Sequence, residues 1–125
     1  MNSEEVNSEA KVSPLITKSF AFAVQIVLLT KKLNWDKKEF VLSKQIIRSG
    51  TSIGANIEEA NGAISNAEFK SKLSIAYKEA RETNYWLRLL NSTDYIDKPE
   101  FEKLNKECGE LCKMLRASIN TLNKK

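Results

Sequence analysis

The spacing of apolar residues, which alternates four and three along most of the chain, is the feature that most constrains the fold. This spacing places apolar residues on one face of a helix, and it persists for roughly three heptads in each of three segments. Strict alternation, the pattern of a strand, does not occur, so the sequence predicts an all-α protein. The three seams are Ile46, Gly50, Ile53, Ile57, Ala60, Ile64; Phe69, Leu73, Ala76, Ala80, Thr83, Leu87, Leu90; and Phe101, Leu104, Cys108, Leu111, Leu115, Ser118, Leu122.

Capping residues divide the pattern into four helices. Ser13 followed by Pro14 predicts the start of the first helix, and the polar, aperiodic residues 1–12 are expected to form a flexible tail. Four helices joined by short connections predict a single domain over 13–125, folded as an antiparallel up-down-up-down four-helix bundle. The three later helix starts are predicted by capping boxes at Asp36 with Glu39, Ser65 with Glu68 and Asp97 with Glu100.

The composition excludes several classes of function. The chain has no histidine and two cysteines, which removes Cys-His nucleophile pairs and histidine-containing metal sites. Cys108 and Cys112 are therefore expected to be reduced residues of the core. The apolar run from Phe20 to Leu29 is about half the length of a membrane span, and glutamates precede it where a signal peptide is positive. We expect a cytoplasmic protein with no metal, no cofactor and no membrane association.

The first helix indicates self-association. It is apolar nearly all round between Phe20 and Leu29, whereas a helix of a monomeric bundle needs only one apolar stripe. A second buried surface is implied, and the sequence predicts a homo-oligomer. The alternative is a first helix that its neighbours enclose more completely within one subunit.

The segment Gly50-Thr51-Ser52-Ile53-Gly54 admits two interpretations. A phosphate-binding P-loop requires a preceding strand and a lysine after the second glycine, and neither occurs here. The apolar seam stays in register through both glycines, which predicts a helix even though each glycine costs about 1 kcal/mol relative to alanine. Gly50 and Gly54 are therefore interpreted as a helix-packing motif.

Polar residues on the same helix predict a hydrogen-bond network inside one bundle or between subunits, since buried polar groups must be paired. Glu79 and Glu82 of the third helix are carboxylates that such a network can include, with Arg48 as their partner. A catalytic pair formed by these two glutamates is a remote hypothesis, because no nucleophile or ligand set accompanies them. The polar stripe consists of Arg48, Ser52, Asn56 and Glu59.

Two groups of basic residues are candidates for binding nucleic acid. Basic side chains interleaved with an aromatic ring bind phosphates and stack on a base, although a solvated helix face has a similar composition. The net charge of +4 is mild for such a function. The first group, on the third helix, is Lys70, Tyr77, Arg81 and Arg88; the second, between the first two helices, is Lys31, Lys32, Lys37, Lys38 and Lys44.

From about Phe20 to its end, the chain resembles a family of four-helix bundle proteins first noticed as reading frames in intervening sequences of large-subunit ribosomal RNA genes. The resemblance implies a homopentameric ring without an assigned enzyme activity. A related branch, the accessory variability proteins of diversity-generating retroelements, has a basic surface that binds nucleic acid and a reverse transcriptase. The stretches that carry the resemblance are residues 45–60, 68–69, 75–83 and 85–87.

Two hypotheses of function follow. The first is a non-enzymatic homo-oligomeric bundle, a pentamer by resemblance, that presents a basic surface to RNA or DNA and to a protein partner such as a reverse transcriptase. The second is a purely structural assembly or protein-partner adaptor module that does not bind nucleic acid.

Overall fold

The chain folds into four helices, seen in a computed structural model that describes the backbone of residues 3–124 and the side chains of residues 13–124. Each helix packs on its neighbour in chain order, and the last packs back on the first. The predicted all-α four-helix bundle is confirmed. The helices are α1 (Ser3–Asp36), α2 (Leu42–Asn61), α3 (Asn66–Ser92) and α4 (Lys98–Asn123).

The core lies on the predicted seams. Ile46, Ile53 and Ile57 of α2 are buried, as are the central seam residues of α3 and α4. Ile64 is an exception: it is 94% exposed, because α2 ends at Asn61 and the seam does not extend beyond the helix. The inner face of α1 completes the core with Leu15, Phe22, Ile26, Leu29 and Leu33.

The first helix begins earlier than the sequence predicts. It starts at Ser3 and contains Pro14 in its interior, so Ser13 is not its N-cap. A proline removes only one helical N–H, and the glutamates and alanine before it are good helix formers, so the pattern continues through position 14. The flexibility of residues 1–12 stays a prediction.

Two of the three predicted caps are confirmed. Ser65 Oγ accepts a hydrogen bond from the Glu68 amide at 3.1 Å, and Asp97 Oδ1 accepts one from the Glu100 amide at 2.9 Å. Each cap satisfies an N–H that has no partner within its own helix.

The predicted cap at Asp36 is wrong. Asp36 is the last residue of α1, and α2 begins only at Leu42. The Leu33 carbonyl oxygen accepts hydrogen bonds from the amides of residues 37 and 39, at 3.2 and 3.0 Å, so α1 closes where the sequence predicted α2 to open. Glu39 still caps α2, because its Oε1 accepts from the Ser43 amide at 2.9 Å.

The outer face of α1 is also apolar. Phe20 is 68% exposed, Leu28 is 54% exposed, and Val24 between them is 43% exposed. These three residues, one turn apart, form the apolar stripe of α1. By length and composition alone, the segment Ser13–Asp36 is apolar enough to span a membrane, a criterion that core helices of globular proteins also satisfy.

Candidate nucleic-acid interface

The flank of α3 that faces α2 is closed by an ion-pair cluster. The guanidinium of Arg48 donates to Glu79 Oε2 at 3.1 Å and also to Glu82 Oε2. The Trp86 indole N–H donates to the same Glu82 oxygen at 3.3 Å. Both carboxylates therefore accept from one arginine, an arrangement that ties α2 to α3.

The remaining polar residues of α2 do not join this cluster. Asn56 Nδ2 donates to the carbonyl oxygen of Ser52 at 2.9 Å and lies 3.0 Å from the Ser52 hydroxyl. Glu59 lies 3.8 Å from the Lys72 ammonium of α3. The predicted stripe thus consists of separate local contacts within one chain.

A buried hydroxyl pair between α2 and α3 was missed by the sequence reasoning. Thr83 Oγ1 lies 2.9 Å from Ser49 Oγ and 2.8 Å from the Glu79 carbonyl oxygen, and both hydroxyl residues are fully buried. The only available signal was Thr83 within an apolar seam. A buried hydroxyl needs a partner, and this pair provides one across the α2–α3 contact.

The two glycines of α2 differ in how closely α1 approaches them. A Cβ at Gly50 would lie 2.9 Å from Cγ1 and Cγ2 of the core residue Ile26, which is too close for any side chain. At Gly54 the nearest atom, Ser19 Oγ, would lie 3.4 Å away. Both positions are helical, and close approach of α1 requires the absence of a side chain at Gly50.

The flank of α3 that faces α4 is open and basic. Lys70, Arg81 and Arg88 are exposed there, and Tyr77 is half-buried beside them. The Arg81 guanidinium carbon lies 6.0 Å from the centroid of the Tyr77 ring. The structure thus brings the four residues predicted for nucleic-acid binding onto one side of the helix.

A groove of about 670 Å³ follows this flank between α3 and α4. Arg116 of α4 joins Lys78 and Arg81 of α3 there, so three cationic side chains line one recess. The sequence reasoning missed Arg116, because its place depends on how α4 aligns with α3. We call this recess the basic groove; it is lined by Ser74, Tyr77, Lys78, Arg81, Arg116, Ile119 and Asn120.

Asparagines bridge the two helices beyond one end of the basic groove. Asn84 of α3 donates to Asn105 of α4, and its own Oδ1 accepts from Arg88 Nε at 3.1 Å. This contact holds the stem of Arg88 while its two terminal nitrogens stay available to an anion.

The thiol of Cys112 lies beside the groove. The pKa of Cys112 is lowered to about 7, chiefly by a hydrogen bond from Cys108 and also by the positive charge of Arg81, while partial burial opposes the shift. The pKa of Cys108 is raised, because the same hydrogen bond and its burial favour the protonated thiol. Both cysteines are free.

The cations of the basic groove have no carboxylate partner in the part of the chain that the structure describes. Among the described residues, ion pairs involve Lys18, Lys32, Arg48, Lys72 and Lys98, and none involves Lys70, Lys78, Arg81, Arg88 or Arg116. Uncompensated positive charge around a recess favours an anionic ligand.

The second basic group, between α1 and α2, differs from the groove. Lys32 is already paired with Glu100 at 3.3 Å, and Asp36 and Glu39 lie among the lysines. Exposed apolar side chains, Trp35 and Phe40, interrupt the same region. Its charge is therefore mixed, and the basic groove is the stronger candidate for binding an anion.

Comparison with known proteins identifies the family. A search of curated proteins gave no significant match. The chain is similar to a crystal structure from Bacteroides thetaiotaomicron, described as a protein of unknown function from the S23 ribosomal protein family. The two share 53% sequence identity with a TM-score of 0.86, over 88% of this chain and 98% of the other. The model of the 23S rRNA-intervening sequence protein family matches residues 13–117. The chain therefore belongs to the 23S rRNA-intervening sequence protein family.

Proposed function

We propose that this protein is a non-enzymatic, homo-oligomeric four-helix bundle of the cytoplasm that binds RNA or DNA through the basic surface of α3 and α4. The observation that carries the proposal is the basic groove, where cations from two helices surround a recess without carboxylate partners in the described part of the chain.

Phosphate contacts with basic side chains release counterions from the nucleic acid. Each phosphate that an Arg or Lys neutralises adds to the affinity, and the affinity then falls as salt rises. The groove and its flanks offer several such cations per subunit. An oligomer repeats the set, so a surface that is mildly basic in one chain becomes strongly basic in the assembly.

Self-association is supported by the apolar stripe of α1. Fully burying one apolar side chain contributes about 1.5 to 3 kcal/mol, so covering Phe20, Val24 and Leu28 is a substantial driving force. We propose that a second copy of the chain covers the stripe. The proposed assembly is a pentamer, the number that the family resemblance implies.

Light scattering coupled to size exclusion tests the assembly. We expect a mass near five times 14.2 kDa, and a variant with Phe20→Ser and Leu28→Ser is expected to shift toward the monomer. Ile64→Ser is the matched control, because Ile64 is exposed but lies outside the stripe. A monomeric protein at micromolar concentration contradicts the proposal.

A gel-shift series with RNA and DNA tests the binding. We expect complexes at low salt that weaken steeply as salt rises, as phosphate contacts require. If neither nucleic acid binds even at low salt, the basic surface has no such role, and the protein is a structural assembly or adaptor module.

A further inference from the structure

Two tyrosine–arginine pairs follow one another along α3, the first on the flank that faces α4 and the second on the outward face next to it. Arg81 lies over the ring of Tyr77 at 6.0 Å, and Arg88 lies over the ring of Tyr85 at 5.9 Å. The two tyrosines are eight residues apart, which is a rise of about 12 Å along the helix axis and a rotation of roughly 80° around it. The rise corresponds to three to four stacked nucleotides at about 3.4 Å each, on a strand that winds partly round α3.

Both rings are placed where a base can reach them. Tyr85 is 48% exposed, and Tyr77 forms part of the wall of the basic groove. Trp86 packs edge-on against Tyr85 with ring centroids 5.0 Å apart. Its indole N–H is fixed in turn by Glu82. The Tyr85 ring is therefore held before any ligand arrives, which lowers the entropic cost of stacking.

Aromatic side chains recognise unpaired bases, because in a duplex both faces of each base are covered by neighbouring base pairs. A duplex could use the cations of this flank but not the tyrosine rings. A free mononucleotide could use one ring, since it does not span the distance between them. Only a single strand engages both rings and the cations together.

We propose that the basic flank of α3, the outward face beside it and the groove shared with α4 form a single-strand binding site. Unpaired bases stack on Tyr77 and Tyr85, while Arg81, Arg88 and Arg116 contact the phosphates between them. This inference rests on the proposed function and adds to it the class of nucleic acid and the residues that select it.

The test is fluorescence anisotropy with a labelled strand of about 16 nucleotides, the upper end of site sizes for small single-strand binding folds. It is measured as RNA and as DNA, alone and annealed to its complement. We expect the single strand to bind more tightly than the duplex at the same salt. The variant Tyr77→Leu with Tyr85→Leu should bind the single strand about tenfold more weakly or worse, and the duplex unchanged.

The variant Tyr77→Phe with Tyr85→Phe is the matched control, because it keeps both rings and should bind like the wild type. Tyr85→Leu alone guards against misfolding, since Tyr85 is largely exposed and its loss should still weaken binding of the single strand. Circular dichroism checks that each variant retains the helices.

Two outcomes would overturn the inference in different ways. If single strand and duplex bind equally and the leucine variants bind like the wild type, the single-strand site is wrong while nucleic-acid binding stands. If no probe binds at low salt, the proposed function fails and the inference fails with it.

Discussion

The two flanks of α3 carry similar polar and charged residues, but these residues have different roles on the two flanks. Toward α2, Arg48 is held by two glutamates, and the hydroxyls of Ser49 and Thr83 meet in the core. Toward α4, Arg81 and Arg116 line an open groove with no carboxylate beside them among the described residues. A charged residue that is paired across a helix contact helps to specify how the two helices pack. An unpaired charged residue beside a recess is available to a ligand.

The difference in charge pairing between the two flanks follows from which residues α2 and α4 place opposite α3. Glu79 and Glu82, three residues apart on α3, share the side that faces α2 and meet Arg48. On α4, Gly109 leaves open space where a Cβ would stand. Asn105 on the same flank bonds to Asn84 of α3. The α3–α4 contact therefore lacks the acidic partners that neutralise the other flank.

The largest effect should come from removing the unpaired cations. Arg81→Gln combined with Arg116→Gln is expected to weaken nucleic-acid binding about 10- to 100-fold at low salt, because two phosphate contacts are lost. Fluorescence anisotropy measures the affinity, and thermal unfolding should be little changed.

Arg48→Gln is the matched control on the other flank. It removes one arginine without touching the groove, so affinity should stay at the wild-type value. Its side chain is 50% exposed, so its loss should lower the free energy of unfolding by no more than about 1 kcal/mol. Equal losses of affinity in the two variants would abolish the distinction between the flanks.

The next effect is on stability and concerns the closed flank. Thr83→Val leaves the buried Ser49 hydroxyl with only a long hydrogen bond, at 3.5 Å, to the Ile46 carbonyl oxygen, and should lower the free energy of unfolding by about 1 to 3 kcal/mol, measured in urea. Adding Ser49→Ala should recover part of the loss, because both polar groups are then gone. Thr17→Val, at an exposed position of α1, should change stability by less than about 0.5 kcal/mol. A Thr83→Val protein as stable as the wild type would show that the hydroxyl pair does not stabilise the contact between α2 and α3.

Alanine substitutions at two helical glycines compare an open position with a closed one. A Cβ at Gly109 meets no atom within 4 Å, so Gly109→Ala should stabilise the protein by about 0.5 to 1 kcal/mol through helix propensity. Gly50→Ala should lower the free energy of unfolding despite the same gain in helix propensity, because its Cβ would lie 2.9 Å from the buried Ile26 side chain. Thermal melts of the two variants should move in opposite directions. A stabilising Gly50→Ala would contradict the close approach of α1.

The smallest effect concerns Cys112 at the edge of the groove. Its alkylation by iodoacetamide should accelerate as pH rises through about 7, because the thiolate is the reactive form. Replacing Arg81 with glutamine removes a positive charge that lowers the pKa of Cys112, so the midpoint should move to higher pH. Cys108 is buried with a raised pKa and should not react in the folded protein. An unchanged midpoint in the variant would place Arg81 too far from the thiol to matter.

Sequence reasoning succeeded where structure is local. The seams of α2, α3 and α4 and the caps at Ser65 and Asp97 depend on residues within a few turns of one another, and the structure confirms them except at Ile64. The cap predicted at Asp36 is wrong although it has the same sequence pattern. The Leu33 carbonyl oxygen accepts hydrogen bonds from the amides of residues 37 and 39, so α1 continues to Asp36.

Features that depend on how two helices align were harder to predict. The pairing of Arg48 with Glu79 and Glu82 was accessible, because charge complementarity identifies partners across a helix pair. Neither Arg116 in the basic groove nor the Ser49–Thr83 pair has such a signal. Each requires the axial register of one helix against another, which apolar periodicity alone leaves undetermined.

Photo-cross-linking of a 4-thiouridine-containing single strand, followed by mass spectrometry of the labelled peptides, shows directly where α3 and α4 contact nucleic acid. We expect cross-links to α3 at Tyr77 and Tyr85 and to α4 near Arg116, and we expect them to disappear when excess unlabelled strand is added. Cross-links confined to the lysine-rich connection between α1 and α2, or no cross-link at low salt, would contradict the proposed single-strand binding site.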